Sequence, residues 1–218
     1  MRFGYYPGCS LLSSAKEYDM SVRAVFNHLN ISLVDIDDWN CCGAVHADVN
    51  NADAAITLPA RNLALAEAQD LTTIIAPCSG CYKNLRRASK AAAESKSTRE
   101  MINSSLQDGL SLTSDIDVIH PLYALLEYVG VEKLKEYIVK PLIGWNIASY
   151  YGCMLTRPKD VFDSTERPQG LDDLIQALSG VPIDYPMKAK CCGGALALSH
   201  GNVTARLSGD VLVSAKDA

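Results

Sequence analysis

The 218-residue chain is short of several things, and each shortage removes a class of function. Aromatic residues make up only 7%, and the 20 Lys and Arg are scattered against 25 Asp and Glu, giving a net charge of −5 with no basic block. A nucleic-acid surface needs a basic stripe and usually stacking aromatics, so nucleic-acid binding is not expected. No apolar run is long enough to span a bilayer. The opening residues "MRFGYYPGCS" lack the charged region, apolar stretch and small-residue cleavage site of a secretory leader. The expected location is the cytoplasm, where disulfides are rare. What the chain does have is eight cysteines, and in a reducing compartment these point to metal ligation or thiol chemistry.

Hydrophobic content of 48% and charged content of 21% fit a globular chain. Short apolar runs alternate with helical periodicities. Strands are expected at Arg2–Tyr6, Ile31–Ile36, Thr72–Ala76, Asp115–Ile119, Trp145–Tyr150 and Val181–Asp184. Helices are expected at Ser14–Leu29, Ala52–Ala68, Gly80–Glu94, Pro121–Val139, Leu171–Leu178 and Val203–Lys216, with a polar, serine-rich stretch after Glu94. This alternation predicts an α/β protein built on parallel sheets, whose ligands collect beyond the carboxyl ends of the strands. Cys9, Cys78 and Cys153 each fall just past such an end.

The two halves repeat. "YYPGCS" at 5–10 corresponds to "YYGCML" at 150–155, and "NCCGA" at 40–44 to "KCCGGA" at 190–195. More loosely, "ARNLALAEAQD" at 60–70 corresponds to "ARLSGDVLVSAKD" at 205–217. A first lobe with a helical linker is expected at 1–140 and a second lobe at 141–218. In the first half the chain continues into "TTIIAPCSGC"; the matching stretch of the second half would lie past residue 218. A second lobe that stops before its Cys-x-x-Cys pair is therefore expected, as a fragment or as a variant with a broken second site.

In the first half Cys9 is followed after 31 residues by Cys41-Cys42, and after 35 more by Cys78-x-x-Cys81. Five thiols exceed the four ligands of a tetrahedral zinc or a cubane iron–sulfur site. Two vicinal thiolates are poorly placed to chelate one tetrahedral ion, but they suit neighbouring atoms of a larger cluster. Thiolate-only ligation selects zinc or iron–sulfur clusters over magnesium or calcium. Other readings are buried structural thiols, zinc held by a subset, and a redox dithiol at "APCSGC".

The pattern, together with "YYPGC", "CCGA", "ARN", "APCSGC", "YYGCMLTRP" and "CCGG", resembles the CCG domain of the heterodisulfide reductase B-subunit family. The resemblance implies two pseudo-repeated CCG lobes, each a small, mainly parallel sheet flanked by helices, with the second lobe incomplete. It also implies a non-cubane [4Fe–4S] cluster on Cys9, Cys41, Cys42, Cys78 and Cys81. One member of the vicinal pair would bridge iron atoms. A second, incomplete site falls on Cys153, Cys191 and Cys192, and zinc or an empty site is an alternative in protein handled in air. The implied reaction is reductive cleavage, or reverse formation, of a disulfide between two small thiols. Electrons would come from a ferredoxin-like iron–sulfur partner of the C type, fed by a flavoprotein of the A type, and the truncated chain alone is expected to be inactive. Rival functions are an electron-transfer component of a lactate, glycolate or succinate/quinone oxidoreductase, and a zinc-stabilised assembly module.

Among residues near the cysteines, His46 and His200 are candidate proton donors to a leaving thiolate, four and eight residues after a Cys–Cys pair. His28 is expected to be a surface or core residue of its helix, and His120, at the end of a strand before Pro121, to be structural. Lys83, Arg86 and Arg87 are expected on a solvated helix face, with recognition of an anionic thiol or an acidic partner as the alternative reading; Arg157 and Lys159 carry the same two readings. Trp39 is expected to pack as a lid beside the first pair. Gly8, Gly43, Gly80, Gly152, Gly193 and Gly194 are expected either to let the backbone approach a cluster or to serve as ordinary turn glycines.

Overall fold

The computed structural model describes residues 1–157 and 164–218. The chain forms two compact units, Met1–Pro121 and Leu122–Ala218. In the first, strands β1 (Arg2–Tyr5), β2 (Ser32–Asp35), β3 (Thr73–Ile75) and β4 (Asp117–Ile119) form one sheet in the order β2-β1-β3-β4. Every pairing is parallel, with Gly4 opposite Val34 and Ile74. Parallel neighbours need crossover helices, which bury both faces and explain why these strands read as apolar runs. Tyr5, Ile74 and Ile75 are buried in the sheet, and Phe26, Leu63 and Leu85 are buried on its helices.

The helices are α1 (Gly8–Leu11), α2 (Lys16–His28), α3 (His46–Asn50), α4 (Ala54–Ala68), α5 (Ser79–Glu94) and α6 (Lys96–Ser105). An ionic bracket ties α2 to the sheet: Arg23 Nε meets Asp19 at 2.9 Å, Arg23 Nη2 meets Asp35 at 2.7 Å, and the guanidinium lies 4.3 Å from the Tyr5 ring. Glu67 at the end of α4 holds the stretch leading into β4. Its carboxylate accepts from the amides of Thr113 and Ser114 at 2.9 and 3.0 Å and from both hydroxyls. Burial pushes its pKa up, but these four donors outweigh burial and leave it below the usual carboxylate value.

Helix α6 occupies the stretch expected to be only polar and serine-rich. Its stability comes from contacts that periodicity does not register. Ser95 caps it through Thr98 N at 3.2 Å, and Arg99 reaches the carbonyls of Ala92 and Thr113. The expected single helix over Pro121–Val139 is broken instead. A short helix α7 (Pro121–Tyr123) runs into a π-helix at Ala124–Val129, Gly130 turns at φ +86°, and α8 (Val131–Lys135) follows.

The second unit has a two-stranded parallel sheet, β5 (Asn146–Ile147) with β6 (Val181–Pro182), and helices α9 (Gly152–Thr156), α10 (Gly170–Ala177) and α11 (Gly201–Lys216). Lys188 is buried there, 2.8 Å from Asp172 and 3.0 Å from Asp184, and the Lys188 carbonyl accepts the amides of Tyr151 and Gly152 at 2.8 and 3.2 Å. This strut ties the Cys153 turn to the segment leading into Cys191. Among the described residues no helix is long and apolar enough to cross a membrane.

Candidate metal centre

In the first unit the three cysteine segments leave the carboxyl ends of β1, β2 and β3. Cys9 sits in α1 directly after β1, Cys41-Cys42 in the loop after β2, and Cys78 and Cys81 at the cap and first turn of α5 after β3. The sheet order makes β1 and β3 neighbours, which brings the first and last segments together. Gly8 has φ +70°, and a Cβ there would lie 2.8 Å from Cys81 Sγ. The chain can close over that sulfur only because the residue is glycine.

The sulfurs form a connected series. Cys42 Sγ lies 3.4 Å from Cys81 Sγ, Cys81 in turn interacts with Cys78, and Cys41 interacts electrostatically with Cys42 and Cys9. Among the described residues no three His, Cys, Asp or Glu side chains are arranged to hold a single metal ion. Backbone amides near the sulfurs favour their thiolate forms: Gly43 N–H for Cys41, Ala44 N–H for Cys42, and Gly80 and Cys81 N–H for Cys78.

These contacts divide the thiols. Cys78 falls to about 5, chiefly because Cys81 donates to it, with the two amides and Ser10 assisting against burial. Cys42 falls to about 7 for the same leading reason, with burial opposing and Ala44 N–H and Asn84 assisting. Cys81 is raised, since its proton is held by Cys42 and Cys78 in a buried place, and Cys41 is raised chiefly by burial. Thiolates are therefore favoured at two of the five positions before any metal arrives.

Two buried asparagines clamp the pair from either side. Asn62, on α4, takes Asn40 N–H at 2.9 Å and gives to the Asn40 carbonyl at 3.0 Å. Asn84, three residues after Cys81 on α5, gives to the carbonyls of Cys42 and Ala44 at 3.2 and 2.6 Å and lies 3.7 Å from Cys42 Sγ. Its Oδ1 is buried without a hydrogen-bond partner. Neither asparagine stands out in the sequence. The available signal was a polar residue inside an alanine- and leucine-rich helix for Asn62, and helical spacing from Cys81 for Asn84.

In the second unit the Cys153 thiol interacts electrostatically with that of Cys191, and Gly193 N–H gives to Cys191 Sγ at 3.4 Å. Helix α11 holds the pair's backbone through Ser208 to the Cys192 carbonyl at 3.0 Å and Thr204 to the Gly193 carbonyl at 2.8 Å. Burial, and then the neighbouring Cys191, raise the Cys153 pKa.

Of the other expected residues, Trp39 packs edge-on against Tyr6, with centroids 5.2 Å apart. Arg86 and Arg87 do not stand on a solvated face. Arg86 reaches Asp117 and the Val118 carbonyl, and Arg87 the Ala55 carbonyl at 2.7 Å. Lys83 is half-buried on α5. Arg157 pairs with Glu166, and Lys159 lies outside the described residues. His46 and His200 are both exposed, at the starts of α3 and α11. His28 ends α2.

His120 is buried after β4, with Nε2 2.9 Å from the Pro77 carbonyl, so this nitrogen carries the proton. Burial lowers its pKa to about 4, against the opposing pull of that carbonyl. The unfolded chain binds this proton below about 6.5 and the folded chain does not, so stability falls as pH drops from about 6.5 to 4. His120→Gln is expected to remove up to about 3 kcal/mol of that pH dependence, read as converging denaturation midpoints across this window.

A family model described as a cysteine-rich domain, the CCG family, matches residues 3–86 and 147–216. The chain belongs to that family, and the two matched segments hold the two cysteine sets. It is 36% identical over 194 residues to the 8-methylmenaquinol:fumarate reductase membrane anchor subunit of Wolinella succinogenes, covering 88% of this chain and 66% of that protein. It is 28% identical over 204 residues to the B subunit of the ferredoxin:CoB-CoM heterodisulfide reductase of Methanosarcina mazei, covering 92% and 67%. A protein of Archaeoglobus profundus described as similar to the heterodisulfide reductase B subunit is 29% identical over 204 residues, covering 90% and 68%. The chain thus spans about two thirds of the length of these relatives.

Proposed function

We propose that this chain is the iron–sulfur subunit of an oxidoreductase complex of the heterodisulfide reductase type. The observation that carries the reading is the gathering of five thiols from three strand ends, with a vicinal pair at its middle. The donor set fits an iron–sulfur cluster: soft thiolates, amide donors close to sulfur, among them Asn84 Nδ2 3.7 Å from Cys42 Sγ, and a glycine cradle over Cys81. Cys9, Cys41, Cys42, Cys78 and Cys81 would hold a non-cubane [4Fe–4S] cluster, and Cys153, Cys191 and Cys192 belong to a second site. A bound cluster supplies one-electron redox chemistry. The chain's own residues orient the thiolates, through Asn62, Asn84 and Gly8, and exclude water from Cys42 and Cys81, which are buried.

The reaction proposed is disulfide plus two electrons and two protons giving two small thiols. Electrons come from a ferredoxin-like partner, itself fed by a flavoprotein. His46 and His200 supply the protons, and His46→Asn and His200→Asn are expected to shift the pH profile of disulfide reduction while leaving iron content unchanged. A second reading, electron relay in a quinone-linked complex, draws on the likeness to the fumarate reductase anchor protein. The test is anaerobic reconstitution with iron and sulfide, followed by reduction. About four iron and four sulfide per chain support the cluster, whereas zinc alone overturns it. Reoxidation of the reduced protein by a CoB–CoM-type disulfide supports the first reading; reoxidation by a quinone alone supports the second.

A further inference from the structure

Each unit carries a tyrosine three residues before its lone cysteine, Tyr6 before Cys9 and Tyr150 before Cys153. Both hydroxyls make the same bond. Tyr6 gives to the Asn40 carbonyl at 2.8 Å, and Tyr150 to the Lys190 carbonyl at 2.7 Å. Asn40 and Lys190 are the residues immediately before the two Cys–Cys pairs. Between each tyrosine and its cysteine lies a glycine in the left-handed region, Gly8 at φ +70° and Gly152 at φ +68°.

The rest of the two brackets differs. Asn62 clamps Asn40 on both its amide and its carbonyl, while the corresponding residue on α11 is Leu207, and Thr204 and Ser208 hold the second pair from beyond it. Lys188, four places after Asp184, is buried in an ion-pair strut, while its counterpart Asp38 pairs with Arg61 at the surface. Two units that diverged in their other supports kept the tyrosine bond.

We infer that Tyr6 and Tyr150 are the positioning residues of the two cysteine sets: each hydroxyl pins the peptide that enters the Cys–Cys pair and so sets where the two sulfurs point. A peptide whose carbonyl is held in this way is more polarised, and its amide, that of Cys41 or Cys191, carries more positive charge. The effect on a bound cluster rests on the iron–sulfur reading above; the effect on the backbone does not.

The test uses Tyr6→Phe and Tyr150→Phe in the full chain, since phenylalanine keeps the ring and removes only the hydroxyl. Hydrogen exchange is read in the reduced, iron-free protein, and the midpoint potential in the reconstituted protein. Tyr6→Phe is expected to speed exchange across 40–44 by about fivefold to tenfold and to leave 190–194 unchanged, with the converse for Tyr150→Phe. It is also expected to move the midpoint potential to a more negative value. Unchanged exchange in Tyr6→Phe overturns the inference, and so does altered exchange with an unmoved potential, which would mark a merely structural bond. Should wild-type protein take up no iron while exchange still responds as expected, the positioning role stands and the iron–sulfur reading falls.

Discussion

Replacing Cys42 with serine is expected to empty the first cysteine set, taking iron from about four atoms per chain to less than about one after anaerobic reconstitution. Cys42 is only 3% exposed, touches Cys81 at 3.4 Å and receives hydrogen bonds from Ala44 N–H and Asn84. It is the member of the vicinal pair that the fold holds more firmly. Serine is nearly the same size but a much harder and less acidic donor, so the change removes the ligand while sparing the fold. Circular dichroism should be unchanged, and Cys192→Ser should leave the iron of the first unit in place. Full iron retention by Cys42→Ser would mean that the vicinal pair is not part of the ligand set.

Gly8→Ala is the second large effect. An alanine at φ +70° costs about 1–2 kcal/mol in backbone strain alone. Its methyl would also sit 2.8 Å from Cys81 Sγ, closer than real contacts allow, so that sulfur or the helix carrying it must shift. Gly109 is the control: it has φ +73° and nothing within 4 Å of an added Cβ. Gly109→Ala is expected to carry the strain and keep its iron, whereas Gly8→Ala is expected to lose both stability and iron. Chemical denaturation with parallel iron analysis separates the two terms. Equal behaviour of the two variants would show that the Gly8 turn does not shape the site.

The strand ends and the two cysteine sets were legible in the sequence because both signals are local. A parallel strand buried on both faces reads as a short apolar run, and β1 to β3 lie inside the runs expected for them. Repetition then located the second set. Helix α6 was not legible, because one serine cap, the long reach of Arg99 and a single buried apolar side chain, Ile102, hold it rather than an apolar stripe. The break at Gly130 was missed because apolar residues continue on both sides of it. The clamps by Tyr6, Asn62 and Asn84 link residues 22 to 42 positions apart, which no window of sequence can join. Arg86 and Arg87 misled for the same reason: their partners lie on β4 and α4, far along the chain.

The strand order also sets a clock. Because β3 lies beside β1, the sulfur set of the first unit is complete only when Cys81 has been made, 72 residues after Cys9. At about 5–20 residues per second, a ribosome needs roughly 4–14 s to cover that interval. During it Cys9, and then Cys41 and Cys42, are solitary thiols on a nascent chain, open to any oxidant or stray metal in the cell. A metal centre on the first set thus cannot be completed before residue 81 is made, and it depends on surroundings that keep the early cysteines reduced until the last one arrives.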